Sequence, residues 1–266
     1  MAPAARHGLH CRLGTTSFIH RAGWLENAAR LATRVEDVEL LCFDGDPAAL
    51  PSIEEVAGLA DLRARTGLTY SLHTPLEASL ASEDEERRRD GVRRVLRAVE
   101  RTQRVVPGAI VVHVYAGDRE GDPLPRDLAA FRRRAARSLS EIVEWGVAPQ
   151  VLSVESLDYE FEAIAPVVEA LGLSTALDVG HLLRDGRPVR PLLERHLCRA
   201  RVVQVHGVEP GGRDHRSLRH VPAAILRELL DMLRAVSYQG VLTLEVFGEA
   251  DLAESLAVLE ELLAES

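Results

Sequence analysis

Six successive apolar runs in this chain each stop on a residue able to bind a metal. They are Leu68–His73, Ala109–His113, Val151–Glu155, Leu173–Asp178, Arg201–His206 and Val241–Glu245. A short Val/Ile/Leu run reads as a strand buried on both faces. Two earlier runs, Cys11–Ser17 and Val38–Phe43, bring the predicted strands to eight, with the fourth continuing to Val114 and the eighth to Val246. Helix-like segments alternate with them near Trp24–Thr33, Ile53–Thr66, Asp84–Val105, Asp127–Trp145, Phe161–Leu171, Pro191–His196, Pro222–Ala235 and Asp251–Ala264. Eight strands with eight crossovers predict an α/β fold: a single (β/α)8 TIM barrel in one domain, residues 1–266. Parallel barrel strands all end at one mouth, so six ligand-type side chains converge there.

Chance does not explain the pattern. With 10 His and 41 Asp+Glu in 266 residues, roughly one position in five suits a metal, so six consecutive hits have odds on the order of one in ten thousand. Allowing each end to slip by one residue raises this to about one in several hundred.

Composition sets outer bounds. The length fits one barrel domain, and 46% hydrophobic residues suffice for its core, although 4% aromatics leave the filling to Leu, Val and Ala. Met1–His10 has no apolar targeting region, and no run approaches the ~18 apolar residues of a membrane span. A soluble, cytoplasmic protein is expected. Cys11, Cys42 and Cys198 are too scattered for a disulfide framework or zinc ribbon, and the first two should be inert packing residues. All 32 basic residues are arginine, which excludes Schiff-base and lysine-base chemistry. The net charge of −9 disfavours a nucleic-acid partner. Bound cations would offset part of it at the site itself.

Local signals frame the helices. Ser82 with Glu85 reads as a capping box, and Gly67 and Gly146 stand where helices should end. The arginines of 87–97 and 132–134, interleaved with acids, read as solvated helix faces.

Each strand end then contributes chemistry. His73 and His113 supply imidazoles suited to zinc or manganese. Glu155 can bridge two ions through its two oxygens, and Asp178, His206 and Glu245 complete a second set, the layout of a binuclear site. His181, three residues past Asp178 on the outgoing loop, and Asp214-His215, in the loop after strand seven, could hold a third ion. Clustered cations activate water and clamp the oxygens of a phosphate ester. Arg213 and Arg216 flank the last loop and could grip phosphate oxygens. Ser17, Ser153 and Ser156 have no convincing His/Asp partners. His7, His10, His20, His196 and His220 lie outside the strand ends, and only His20 falls near the mouth. No Gly-rich phosphate loop follows a first strand.

This arrangement resembles the xylose isomerase-like TIM-barrel superfamily, which holds sugar isomerases, epimerases and the endonuclease-four type of apurinic-site nuclease. His73, His113, Glu155, Asp178, His181, His206 and Glu245 match the nuclease branch one by one. Asp214-His215 are adjacent where that branch has one residue between them. A narrower resemblance, to the cobamide-remodelling phosphodiesterases (CbiR), rests on Gly14-Thr15-Thr16-Ser17-Phe18-Ile19, Asp37-Val38-Glu39-Leu40-Leu41, Leu68-Thr69-Tyr70-Ser71-Leu72-His73-Thr74-Pro75-Leu76 and Ala176-Leu177-Asp178-Val179-Gly180-His181. It implies metal-dependent hydrolysis of the nucleotide-loop phosphodiester of cobamides, the vitamin B12 class, at two or three divalent ions. Glu155 and Glu245 are then the catalytic carboxylates, and the metal ligands are His73, His113, Glu155, Asp178, His181, His206, His215 and Glu245. The substrate is a small molecule, with no membrane or nucleic-acid partner implied. A one-ion sugar isomerase or epimerase would need only Glu155, Asp178, His206 and Glu245. An apurinic-site nuclease is a variant of the hydrolytic reading, and a non-catalytic binding barrel stands outside both.

Overall fold

The computed structural model describes residues 9–44, 46 and 49–265; His7 lies outside them. Eight parallel strands close into a barrel in chain order: β1 (Arg12–Thr16), β2 (Asp37–Leu41), β3 (Thr69–His73), β4 (Ile110–Val112), β5 (Leu152–Glu155), β6 (Ser174–Asp178), β7 (Ala200–Val205) and β8 (Val241–Leu244). The helices are α1 (Trp24–Leu31), α2 (Ile53–Thr66), α3 (Glu85–Thr102), α4 (Leu128–Trp145), α5 (Ala165–Ala170), α6 (Val179–Arg184), α7 (Val189–His196), α8 (Ala223–Ala235) and α9 (Glu249–Ala264).

Strand alternation sorts the side chains into two environments. Val38, Leu40, Tyr70, Leu72, Val112, Leu152, Val154, Leu177, Val203, Val205, Leu242 and Leu244 belong to the large core shared with the helices. The opposite parity faces the barrel interior, where Ala109, Val111, Ala176 and Val202 make a small separate cluster. Above that plug, the same parity brings Ser71, Ser153, Gln204 and Thr243, all buried, and then the metal-ligand residues. Each of the six candidate ligands at the strand ends therefore extends an inward-facing ladder.

Several sequence-level boundaries shift. His113, His206 and Glu245 each fall one residue past their strand as the ladder hydrogen bonds run out. Pro166 at the start of α5 splits the expected Phe161–Leu171 helix into a 3-10 turn, Phe161–Ala163, and a short α-helix, because proline lacks the N–H an interior turn needs. Helix α3 is capped by Asp84 rather than by a Ser82–Glu85 box: the Asp84 carboxylate accepts from the N–H groups of Glu86 and Arg87. Ser82 accepts from the Asp84 N–H instead. Gly67 and Gly146 do terminate α2 and α4, at φ +79° and +127°, backbone that favours glycine.

Arg88 breaks the expectation of a uniformly solvated α3 face. It is 1% exposed and bonds Glu85 (2.9 Å), Glu141 (2.9 Å) and Ser138 Oγ (2.8 Å), tying α3 to α4. Both acids reach solvent, so Arg88→Ala leaves a buried hole rather than a stranded charge. Its expected cost is about 2–4 kcal/mol, a fall in thermal midpoint of roughly 5–10 °C. An unchanged midpoint would show that α3 and α4 are held by their apolar contacts alone.

Candidate metal centre

Two ligand sets lie side by side at the C-terminal mouth. His73, His113 and Glu155 form one, and Asp178, His206 and Glu245 the other; within each set, one ligand atom per residue falls within 4.8 Å of the others. Glu155, Asp178 and His181 meet the same criterion and link the two, as do His181, His206 and His215. All eight expected ligands thus come together.

The atoms are poised for something absent from the protein's own hydrogen bonding. Asp178 Oδ2, His181 Nδ1, His206 Nε2 and Glu245 Oε2 are buried without hydrogen-bond partners, an expensive state for polar atoms. His73 Nε2 and His113 Nε2 both crowd one oxygen, Glu155 Oε2, at 3.2 and 3.0 Å. Their remaining ring nitrogens are held by the Thr74 carbonyl at 3.1 Å and the Tyr115 hydroxyl at 2.7 Å. Donation from Nδ1 leaves the Nε2 lone pair free, the usual support for a metal-binding histidine. The residues fit a cluster of divalent cations.

Local folding explains how each ligand is held. Asp178 caps α6, accepting from the His181 N–H at 2.9 Å, while Ser156 Oγ accepts from the Asp178 N–H at 2.8 Å. The segment expected to be a loop is therefore helical, and spacing three places Asp178 and His181 on one face. Gly180 lies in that helix against His206: a Cβ there would sit 2.2 Å from the imidazole. The loop after β7 is pinned where Gly207 and Arg216 exchange backbone hydrogen bonds of 2.7 and 3.0 Å. This delivers His215 at φ +52°, a costly conformation for a non-glycine residue, with its N–H on His206 Nδ1 (3.1 Å) and its ring nitrogen by the Glu245 carbonyl (3.1 Å).

Of the two expected phosphate grips, Arg216 is engaged elsewhere and Arg213 forms no part of the cleft lining. Arg216 is bound to Glu209 (2.7 Å) and Asp251 (2.8 Å), because carboxylates from its own loop and α9 reach it first; it fixes the loop. Arg213 is exposed, and neither arginine lines the mouth cleft. Asp214 stands apart from the ligand clusters, 3.3 Å from Arg184. Arg184 is also bonded to Glu120 at 2.8 Å, a cleft-lining acid that a reading of strand ends does not reach. His20 lies 3.6 Å from Glu249, outside the cluster.

Reading strand ends also passes over Glu39. It is fully buried, receives the Gln204 amide at 3.4 Å and leaves Oε2 unpartnered. A lone glutamate inside the apolar run Val38–Leu41 is the available signal.

The ionisation of these groups is mutual. Burial opposes the charged form of Glu155 and Asp178, yet adjacent histidines hold both below the ordinary carboxylate range. Burial and surrounding carboxylates push Glu39 up to about 8 and raise Glu245 well above its usual value. For His73, burial favours the neutral ring, but Glu155 overrides it and raises the group to about 9; His181 is raised by Asp178 and Glu155 against the same penalty. His215 is lowered, by burial and then by His206.

The mouth cleft, about 110 Å³, is lined by His73, His113, Glu155, His181, His215 and Glu245 together with Leu41, Phe43, Leu76 and Phe247. A closed parallel barrel carrying clustered histidines and carboxylates at its C-terminal mouth is a candidate metalloenzyme barrel. Residues 26–262 match the family described as xylose isomerase-like TIM barrel, and the chain belongs to that family. Among solved structures it is similar to a D-tagatose 3-epimerase-like protein (19% identity, TM-score 0.75, covering 96% of this chain and 97% of that one). It is likewise similar to endonuclease IV from Thermus thermophilus (21%, 0.70, 96% and 100%). The TTHB071 protein from the same organism, soaked with ZnCl2, reaches 26% identity with a TM-score of 0.67 over 97% and 99% of the chains. No curated protein matches the sequence.

Two measurements follow from this packing. Gly180→Ala should displace His206 and weaken metal binding by about 10–100-fold, read by calorimetric titration of zinc into stripped protein; unchanged affinity would mean His206 is not held against α6. The second concerns pH. His73, His181, Glu39 and Glu245 bind protons more tightly folded than unfolded, so the stability they confer is lost as pH rises through their folded pKa values. His215 acts oppositely, while Glu155 and Asp178 are fully ionised above about pH 5 in either state. Metal-free protein should therefore have a lower melting temperature at pH 9 than at pH 6.5, and zinc should flatten that slope by favouring deprotonated ligands. A rising midpoint without metal would contradict this account of the cluster.

Proposed function

We propose that this chain is a cytoplasmic, metal-dependent phosphodiesterase. Its substrate is a cobamide such as adenosylcobalamin, cleaved at the nucleotide-loop phosphodiester to a cobinamide and a lower-ligand nucleoside phosphate. The observation that carries the reading is the presence of two adjacent ligand sets. A one-ion isomerase would use Glu155, Asp178, His206 and Glu245 and leave His73, His113 and His181 idle, yet all three are buried and aimed at the same carboxylates. The likeness to endonuclease IV supports phosphodiester chemistry on this barrel. The net charge of −9 and the acids at the mouth favour a small substrate over DNA.

When bound, two or three divalent cations supply Lewis acidity, lowering the pKa of water from 15.7 towards about 7 and neutralising charge on a phosphoryl group. The His-rich first set favours zinc, with manganese the next choice. Glu155 lies between the two sets and would orient the attacking water. Glu245 belongs to the second set with Asp178 and His206 and lines the cleft, where it would orient the leaving oxygen.

The epimerase reading has its own support in the D-tagatose 3-epimerase-like neighbour and in the Glu155–Glu245 pair. One experiment separates the two. Zinc-loaded protein incubated with adenosylcobalamin should yield cobinamide by chromatography and mass, and Glu155→Ala should lower the rate by at least about 10³-fold. Intact adenosylcobalamin alongside epimerisation of a ketose would replace the hydrolytic reading with the isomerase one. Cleavage of apurinic DNA alone would move the substrate to nucleic acid.

A further inference from the structure

The chain has five phenylalanines. Phe131 and Phe161 are buried, whereas Phe18, Phe43 and Phe247 are 51%, 42% and 37% exposed. These three lie together, with ring centroids 4.9, 6.0 and 6.4 Å apart, all edge to face. A barrel with so few aromatics has no stability reason to gather three at its surface, since each would be worth more in the core.

Their origin is specific. Phe18 follows β1, Phe43 follows β2 and Phe247 follows β8, three neighbouring strands of the barrel. Each continues an inward-facing ladder beyond its strand: Thr16 to Phe18, Glu39 through Leu41 to Phe43, and Thr243 through Glu245 to Phe247. The mouth is thus divided. Strands β3 to β8 deliver the metal-ligand residues, and the arc β8–β1–β2 delivers phenyl rings. The two halves are joined, because Phe247 stacks on His215 at 4.4 Å and His215 stacks on His206 at 4.2 Å. Phe43 and Phe247 also line the cleft that contains the ligands.

We infer that Phe18, Phe43 and Phe247 form the seat for a broad, largely apolar ring system of the substrate, whose phosphodiester reaches the metal centre. The inference rests on the proposed phosphodiesterase reading and adds to it the substrate-binding surface. Size supports it: the cleft of about 110 Å³ is far below the roughly 300–1,000 Å³ that encloses a drug-sized ligand. Only the phosphate end of a large substrate enters, and its bulk must lie on the rim. Edge-to-face rings present both faces and edges, a surface suited to a wide ring plane.

Cobinamide, which keeps the macrocycle and lacks the nucleotide, is the probe. Zinc-loaded wild-type protein should bind it, followed by the quenching of tryptophan fluorescence. Phe18→Ala and Phe43→Ala should each weaken binding by about tenfold or more, with metal content unchanged, and Phe18→Leu should recover part of the loss. The KM for adenosylcobalamin should rise in parallel while kcat changes less. Wild-type cleavage of adenosylcobalamin with unchanged KM in both alanine variants would overturn the seat and leave the hydrolytic reading intact. Tight, Phe-dependent cobinamide binding without cleavage would overturn the hydrolytic reading and support the seat. A wild-type dimer that the alanine substitutions dissociate, with cobinamide affinity unaltered, would assign the patch to a second copy of the chain and overturn the seat.

Discussion

Four carboxylates, those of Glu39, Glu155, Asp178 and Glu245, are enclosed at one end of the barrel, none more than 5% exposed. Such a group is costly to fold, because a desolvated anion is expensive until something positive or protic meets it. The protein meets the demand in part. His73 and His113 face Glu155, His181 and His206 face Asp178, and the remaining two acids hold protons well above their ordinary range. The balance left over is visible as unpartnered atoms, seven of which lie in the barrel interior among the described residues. Divalent cations are the simplest completion, since each replaces several protons at once. Ligand geometry, histidine orientation and the strained His215 backbone are all compatible with that completion.

Strand periodicity makes this arrangement possible. Barrel strands expose alternate residues to the interior, so one parity sees the helices and the other sees the axis. Small residues near the bottom, Ala109, Val111, Ala176 and Val202, fill the axis without crowding. Hydroxyl and amide groups follow, and the ligands crown the same ladders. Shifting any one strand by a single residue would send its ligand into the helical layer and a leucine or valine into the site. Register is therefore a functional constraint as well as a packing one.

Much of this is legible in the amino-acid sequence. Buried parallel strands are marked by apolar runs, and a strand's last inward residue is marked by an abrupt polar one, so the barrel and six of its eight candidate ligands can be read in order, with His181 and His215 found in the segments that follow strands six and seven. What escapes depends on distance in space. Arg216 looks free in sequence because one partner, Asp251, lies on α9 and the other, Glu209, meets it only once the loop is folded back, and Arg88 looks solvated because nothing local places α4 over it. Glu39 is hidden by position: it lies within a run rather than at its end, where the polar break is sought. The helix at Val179–Arg184 leaves no signal because six residues are too few for a periodic pattern.

The division of the mouth shows how one barrel can separate recognition from chemistry. Charged groups are most effective where water is scarce, and the six ligand-bearing strands create such a region in a cleft too small for a large molecule. Apolar recognition needs area, and area is available only on the rim, where β8, β1 and β2 have no ligand to place at the metal sets beyond Glu245. Phe247 belongs to both regions. It packs with Phe18 and Phe43 at the rim and reaches the candidate ligands through His215, so the proposed ring seat lies one aromatic layer from the ligand cluster. On the proposed phosphodiesterase reading, binding energy gained at the rim would position the ester without adding any charge to the crowded interior.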